Sequence, residues 1–342
     1  MKISILLPYK ENFSPEYPGA VSLFVYETSK ISKFRNTITI FGNTDYQKKF
    51  NLKYINIDLK KNLFSSQTSL YVKKFIELEK KTNSSIIEVH NRPSYIHLLS
   101  SKIKDKILTL YFHNDPLSMS GSKTVEQRKR LLKTCYKIIF NSSWSKKRFL
   151  EGLENKFVNS NKLLIFYQSA KKGNLSLLNK KKKWITFVGK LNKAKGYDIF
   201  AKSIVKILNR YKDWKALVIG DEKREKIHLN HKNASILGFK KHNEVIDIFK
   251  KTSITVACSR WEEPFGRTSL EASANGCAVI ITNKGGLPET VTDAKILERL
   301  SEQNLTKSIS NLVANLKQRK NLQSKSIKNF YLTHKFVSKK ID

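Results

Sequence analysis

Short apolar runs alternate with longer amphipathic stretches along this chain. Residues 3–7, 37–41, 54–57, 85–89, 107–112, 137–140 and 163–166 are rich in β-branched and aromatic side chains and predict strands. Between them, residues 20–34 and 68–81 carry apolar positions at helical spacing; Tyr71, Val72, Phe75, Ile76 and Leu78 mark one helical face. Continuous apolar strands separated by helices predict a parallel sheet covered on both faces. The alternation stops at 171–183, KKGNLSLLNKKKK, which is polar, basic and aperiodic and reads as an interdomain linker. A second series follows, with strands at 184–188, 214–219, 234–237, 254–257 and 278–281 and helices near 197–211, 243–250, 268–275 and 301–317. The expected fold is α/β, with two Rossmann-like doubly wound parallel-sheet domains facing a cleft. The expected division is a first domain over 1–170, the linker, and a second domain over 184–323.

The composition supports that division. A chain of 342 residues and 39.5 kDa suits two domains, and 40% hydrophobic residues excludes a disordered chain. The cysteines, Cys135, Cys258 and Cys277, are too scattered for a disulfide framework or a zinc ribbon. No apolar run approaches the roughly 18 residues of a spanning helix. The first apolar stretch ends at Pro8, short of the about 7–15 residues of a signal core. A cytoplasmic location is expected.

Open parallel sheets bind ligands beyond the C-terminal ends of their strands, so the strand-to-helix junctions carry the candidate chemistry. The first, PYKENFSPEYPG, ends in Gly19 before a predicted helix at Ala20. It reads either as a structural turn or as a phosphate approach. The second, WITFVGKLNKAKG, places Gly189 at a strand end, followed by Lys190 and Lys195. Two ammonium groups there can hold a diphosphate as point charges. In the third, CSRWEEPFGRTSLE, Glu263 precedes a helix opened by Gly266, and Glu271 lies inside it. A carboxylate before the helix can bind sugar hydroxyls; one within it can take both hydroxyls of a ribose. A single acidic helix cap explains one of these carboxylates but not both with the intervening Pro-Phe-Gly. The fourth, IITNKGGLPE, is a Gly-Gly loop opening another helix, with Pro288 in its first turn. His113 follows Phe112 at a strand end. His90 also follows a strand and, with Asn91 and Arg92, either lines an acceptor side or caps the next helix. No metal-ligand spacing occurs.

The segments FVGKLNKAKG, EEPFGRTSLEASANGCAVI and NKGGLPE together resemble the donor-binding half of family-4 retaining glycosyltransferases of the GT-B fold. The order and spacing, a glycine with basic residues, E-x7-E, then GG-x-x-E, match over about 184–289. The resemblance implies a metal-independent, cofactor-free glycosyltransferase with a nucleotide-sugar donor. It implies that Lys190 and Lys195 bind the donor diphosphate. Glu263 would hold sugar hydroxyls, helped by the backbone near Phe265 and Gly266, and Glu271 the ribose. His113 would stand by the reacting sugar, Gly19 near the phosphates, and a last helix over 324–342 would cross back to the first domain. The family usually carries Arg where Lys190 stands and a Gly-Gly pair where Gly19-Ala20 stands.

Charge adds the question of the acceptor. Lys+Arg is 65 against Asp+Glu 28, a net of +37, with lysine far outnumbering arginine. A/T-rich codon usage explains part of this, but the field exists whatever its origin. It favours a glycan or glycolipid acceptor of the cell envelope, such as a lipopolysaccharide core, reached peripherally on the inner membrane face. Residues 123–130 and 142–148 are the candidate basic faces, with Phe149 and Leu150 available to the lipid interface. A nucleic-acid-binding protein lacks any recognisable motif for that role. A nucleotide-sugar epimerase shares the fold without this E-x7-E pattern. Composition and motifs leave the oligomeric state open.

Overall fold

The computed structural model describes residues 1–59, 66–157 and 160–342. It divides into two compact units, Met1–Ser169 with His334–Asp342, and Ala170–Thr333.

The first unit carries strands β1 (Ile3–Leu6), β2 (Ile38–Gly42), β3 (Tyr54–Asn56), β4 (Ile86–His90), β5 (Ile107–Phe112), β6 (Lys137–Phe140) and β7 (Leu163–Ile165). They form one parallel sheet in the order β3-β2-β1-β4-β5-β6-β7. Its helices are α1 (Ala20–Ser29), α2 (Gln67–Thr82), α3 (Pro93–Ser100), α4 (Val125–Thr134), α5 (Ser143–Leu150) and, from the chain's end, α11 (His334–Ile341). Successive strand residues point to opposite faces, so each strand feeds two cores. Leu110 and Phe112 of β5 join one cluster with Tyr71, Phe75 and Phe149. Tyr111 joins the other with Phe24 and Val337.

The second unit repeats the arrangement with β8 (Lys182–Val188), β9 (Lys215–Ile219), β10 (Ala234–Ile236), β11 (Thr252–Ala257), β12 (Ala278–Thr282) and β13 (Lys295–Leu297), in the parallel order β10-β9-β8-β11-β12-β13. Its helices are α6 (Tyr197–Arg210), α7 (His242–Lys251), α8 (Arg267–Ala274), α9 (Glu302–Ala314) and α10 (Leu316–Lys328). The doubly wound α/β expectation holds in both units.

Several local expectations change. The stretch 171–183 is not a free linker. It folds into the second unit as a 3-10 helix, Leu175–Lys180, and the first residues of β8. Lys181 donates to the carbonyls of Phe249 and Asn275, so this lysine caps interior carbonyls rather than facing water. The helix expected over 301–317 stops at Ala314. Asn315 ends it and starts α10, its side chain accepting from the Gln318 N–H at 2.8 Å. The last helix expected over 324–342 is instead the end of α10 and, after a break at 329–333, α11, and the segment that joins the first unit is α11. There Ser338 donates to the Thr28 carbonyl and Val337 enters the core. Of the expected basic faces, Arg128 is buried and Phe149 fully buried, so neither is available to a membrane surface.

Candidate active site

β8 and β11 are neighbours whose connections leave in opposite directions, β9 lying beyond β8 and β12 beyond β11. Such a switch point opens a crevice at the strands' C-terminal ends. Three loops meet there. Gly189 follows β8 with φ of 151°, and a Cβ at this position would meet nothing within 4 Å, so the strand end faces open space. Gly196 has φ of 72° and would place a Cβ 2.0 Å from the Cys258 carbonyl oxygen, so only glycine lets the β8 loop pass the β11 loop. On the other side, Gly286 donates its N–H to the Glu263 carbonyl at 2.6 Å, and the Gly285 N–H and Lys284 ammonium both meet Glu262. The Gly-Gly loop thus grips the backbone on which Glu263 stands.

A recess of about 100 Å³ lies among these loops, lined by Gly189, Lys195, Ser259, Glu263, Gly266 and Thr268, with other side chains. Lys195 Nζ pairs with Glu263 Oε1 at 2.5 Å, the lysine side chain one-third exposed and the glutamate mostly covered. Gly266 opens α8, whose first N–H groups face no intrahelical acceptor. The structure therefore brings Gly189, Lys195, Glu263 and Gly266 into one lining. Lys190 is exposed, and Phe265 is buried.

Glu271 is buried in α8, with Arg267 Nε at 2.6 Å and His242 Nε2 at 2.8 Å, both on its Oε1. Burial opposes its charge, but Arg267 and His242 outweigh burial and hold its carboxyl below the usual range. Sequence reasoning missed both partners. The i to i+4 spacing of Arg267 and Glu271 was a usable signal; His242 comes from a different helix and had none. Among the described residues, no group of three His, Cys, Asp or Glu side chains is placed to hold a metal ion.

In the first unit, Gly19 is the N-cap of α1, and a carboxylate of the chain already meets the start of that helix. Glu11 Oε1 accepts from the Ser22 N–H at 2.9 Å, and a Cβ on Gly19 would meet that oxygen at 2.0 Å. The helix N-terminus attracts an anion, and the chain supplies its own. His90 is buried rather than presented as an acceptor contact; its Nδ1 lies 3.0 Å from His113 Nε2. Asn91, at φ of 55°, accepts the His113 N–H on its side-chain oxygen, and Arg92 donates to the Asn91 carbonyl.

Residues 170–329 match the family model of glycosyl transferases group 1. The group 1 match spans nearly the whole second unit, including its three strand-end loops. Spore coat protein SA of Bacillus subtilis (strain 168) is 23% identical over 326 residues, covering 86% of this chain and 84% of that protein. The lipopolysaccharide core biosynthesis mannosyltransferase LpsB of Rhizobium meliloti (strain 1021) is 32% identical over 125 residues, 34% of this chain and 35% of LpsB. The crystal structure of Anabaena Alr3699/HepE in complex with UDP and glucose aligns with a TM-score of 0.79 at 17% identity, covering 100% of this chain and 98% of that one. The fold is GT-B, as expected.

Proposed function

We propose that this protein transfers a sugar from a nucleoside-diphosphate sugar to a hydroxyl acceptor, with retention of anomeric configuration. The observation that carries the reading is the Lys195–Glu263 pair in the recess at the β8 and β11 strand ends, within the group 1 match. Breaking the anomeric C–O bond leaves negative charge on the departing diphosphate. Lys195 takes that charge, with Lys190 as a second cation and the α8 N-terminus as a fixed dipole; one such donor is typically worth about 10²–10³ in rate. Glu263, released from Lys195, then holds donor-sugar hydroxyls beside the Phe265–Gly266 backbone. Glu271, already fixed by Arg267 and His242 on Oε1, offers Oε2 to the ribose. His113 takes a hydroxyl of the transferred sugar. Lysines and helix dipole supply the positive charge, so the reaction is proposed to need neither metal nor cofactor.

The acceptor is proposed to be a glycolipid or other cell-envelope glycan. The net charge of +37 and the local similarity to LpsB support that class. HepE binds UDP and glucose in its crystal structure, which makes UDP-glucose the first donor to test.

The test is a thermal-shift panel of nucleotide sugars, followed by turnover of two variants. A donor at 100 times its Kd should stabilise by about 2.7 kcal/mol. Lys195→Ala should lower turnover about 10²–10³-fold, while Lys182→Ala, an exposed strand lysine stacked on Trp184, should leave it unchanged. Equal losses would assign the effect to bulk charge and overturn the site. An inverted anomeric product, read by NMR, would overturn retention. Chelator is expected to leave turnover unchanged.

A further inference from the structure

The first unit holds a cavity of its own, of about 210 Å³, between its sheet and the helices α1 and α11. Alternate residues of a strand share a face, and on this face they are mostly apolar. Ile3 and Ile5 of β1, Ile38 of β2 and Ile86 of β4 form the floor, and Phe24 of α1 and Ile341 of α11 form the cover. The helix hydroxyls along it are committed to carbonyls, Thr28 Oγ1 to Phe24 at 2.7 Å and Ser338 Oγ to Thr28 at 3.0 Å. Asp342 ties the end of α11 to the turn after α1, accepting from the Ser32 hydroxyl at 2.5 Å and the Lys33 N–H at 2.9 Å.

Glu88 is the exception in this lining. It stands on β4, in the middle of the sheet, with its side chain 15% exposed. β1 and β5 cover it on either side, so what is left uncovered faces the cavity that it lines. The Tyr111 hydroxyl is 3.5 Å from its Oε1, beyond a good hydrogen bond. His90 Nε2 is 3.5 Å from its Oε2 and makes no hydrogen bond. No cation makes up for this. Among the described residues of the lining there is no lysine or arginine, in a chain with a net charge of +37, and the charge acting on Glu88 is a second anion, Asp342. Burial, with Asp342 adding to it, pushes the carboxyl up to about 7. A buried carboxylate is ordinarily paired. Here the chain supplies apolar walls and an anion without its partner.

We infer that this cavity is a binding site for a small primary amine with an apolar body, its ammonium on the Glu88 carboxylate and its body against the isoleucines of β1, β2 and β4. The inference does not rest on glycosyl transfer. The class of ligand follows from the lining. An anionic ligand meets two carboxylates and no lysine or arginine. A neutral alcohol gains one ordinary hydrogen bond, whereas an ammonium gains a charge-assisted one and neutralises the buried charge. Size sets the body. An apolar cavity of about 150 Å³ takes up benzene, so 210 Å³ accommodates a ring with a short amine arm. A ligand there touches the sheet, α1 and α11 together, so binding stabilises the packing of α11.

The experiment is methyl NMR on the full chain, ¹³C-labelled at the isoleucine methyls and titrated with 2-phenylethylamine, 2-phenylethanol and 3-phenylpropanoate. At about pH 8 most of Glu88 is ionised. The amine should shift the Ile5, Ile38 and Ile86 methyls and leave those of Ile280 and Ile281, in the second unit, unmoved. The alcohol should bind about ten-fold more weakly or worse, and the carboxylate should not bind. Glu88→Gln keeps the shape and removes the charge; it should weaken the amine about ten- to hundred-fold and leave the alcohol unchanged. Equal affinity for amine and alcohol overturns the ammonium contact in the unsubstituted protein, whether or not the variant folds. An amine affinity that the folded variant retains overturns the role of Glu88. Shifts confined to other isoleucines overturn the location. No shift with any of the three compounds means that the cavity holds water only, and overturns the site.

Discussion

Glu271 and Glu88 are both buried carboxylates, and their neighbours push them in opposite directions. Burial acts against the charge of each. At Glu271, Arg267 and His242 outweigh it and lower the carboxyl; at Glu88 no cation is near and the carboxyl rises to about 7. A lowered carboxyl contributes stability that is present above its ordinary value of 4.5 and is lost as pH falls through the folded value. Glu271→Ala is expected to cost about 3 kcal/mol at neutral pH, because the partly buried Arg267 guanidinium loses its buried anion, with the deficit shrinking in acid. Urea melts across pH check this. In the folded Glu271→Gln variant, calorimetry should show weakened donor binding and unchanged acceptor binding; unchanged donor affinity removes the ribose role. For Glu88 the sign reverses. The folded state holds a proton that the unfolded state has released between pH 4.5 and about 7, so folding loses stability as pH rises through that window. Glu88→Gln should therefore stabilise the protein at pH above about 8 by on the order of 3 kcal/mol and change little below pH 4.5. Equal effects at both ends would contradict the assigned shift.

At the scale of elements, the strand positions follow from β-branched runs with both faces buried, and the helix positions from apolar spacing. The errors cluster where local polarity and tertiary pairing disagree. β8 begins at Lys182, two residues before the apolar run, because Lys182 pairs with Thr252 of β11 while its side chain remains outside. β13 was missed because Lys295 and Ile296 are exposed on an edge strand whose pairing with β12 lies outside any local pattern. The three strand-end loops of the second unit were legible, because glycine and charge at strand ends have a local reason. How tightly the loops interlock was not. Gly285 has φ of 59°, and a Cβ there would stand 2.2 Å from the Glu263 carbonyl oxygen. Gly285→Ala should displace Glu263, costing stability through backbone strain of about 1–3 kcal/mol and lowering donor affinity. A variant with wild-type melting and wild-type donor affinity would show that the grip on Glu263 is not needed.

For the whole molecule, the charge is the dominant property. No helix among the described residues is long and apolar enough to cross a membrane. Burial of Phe149 and Arg128 removes both from any proposed membrane contact, so the proposal rests on the exposed lysines. Each lysine near an anionic surface contributes about 1 kcal/mol. The protein should therefore sediment with anionic but not neutral vesicles at 0.1 M salt and release at 1 M, where the Debye length falls from about 10 Å to about 3 Å. No binding at low salt would leave the lysine excess without a membrane role.

The sequence by itself determined the alternation of strands and helices, both doubly wound units and the glycines, lysines and glutamates placed at strand ends. Those depend on short-range periodicity and on residue types with few alternative uses. Only the tertiary structure decided the surroundings of each group. Glu11 occupies the α1 N-terminus, which had been open to a structural turn or a phosphate, and His90, open to an acceptor side or a helix cap, lies in the core against His113. His242 reaches Glu271 from another helix, and the supposed linker belongs to the second unit. Each is a contact between residues distant in the chain, and its energy arises only when the sheets bring those residues together.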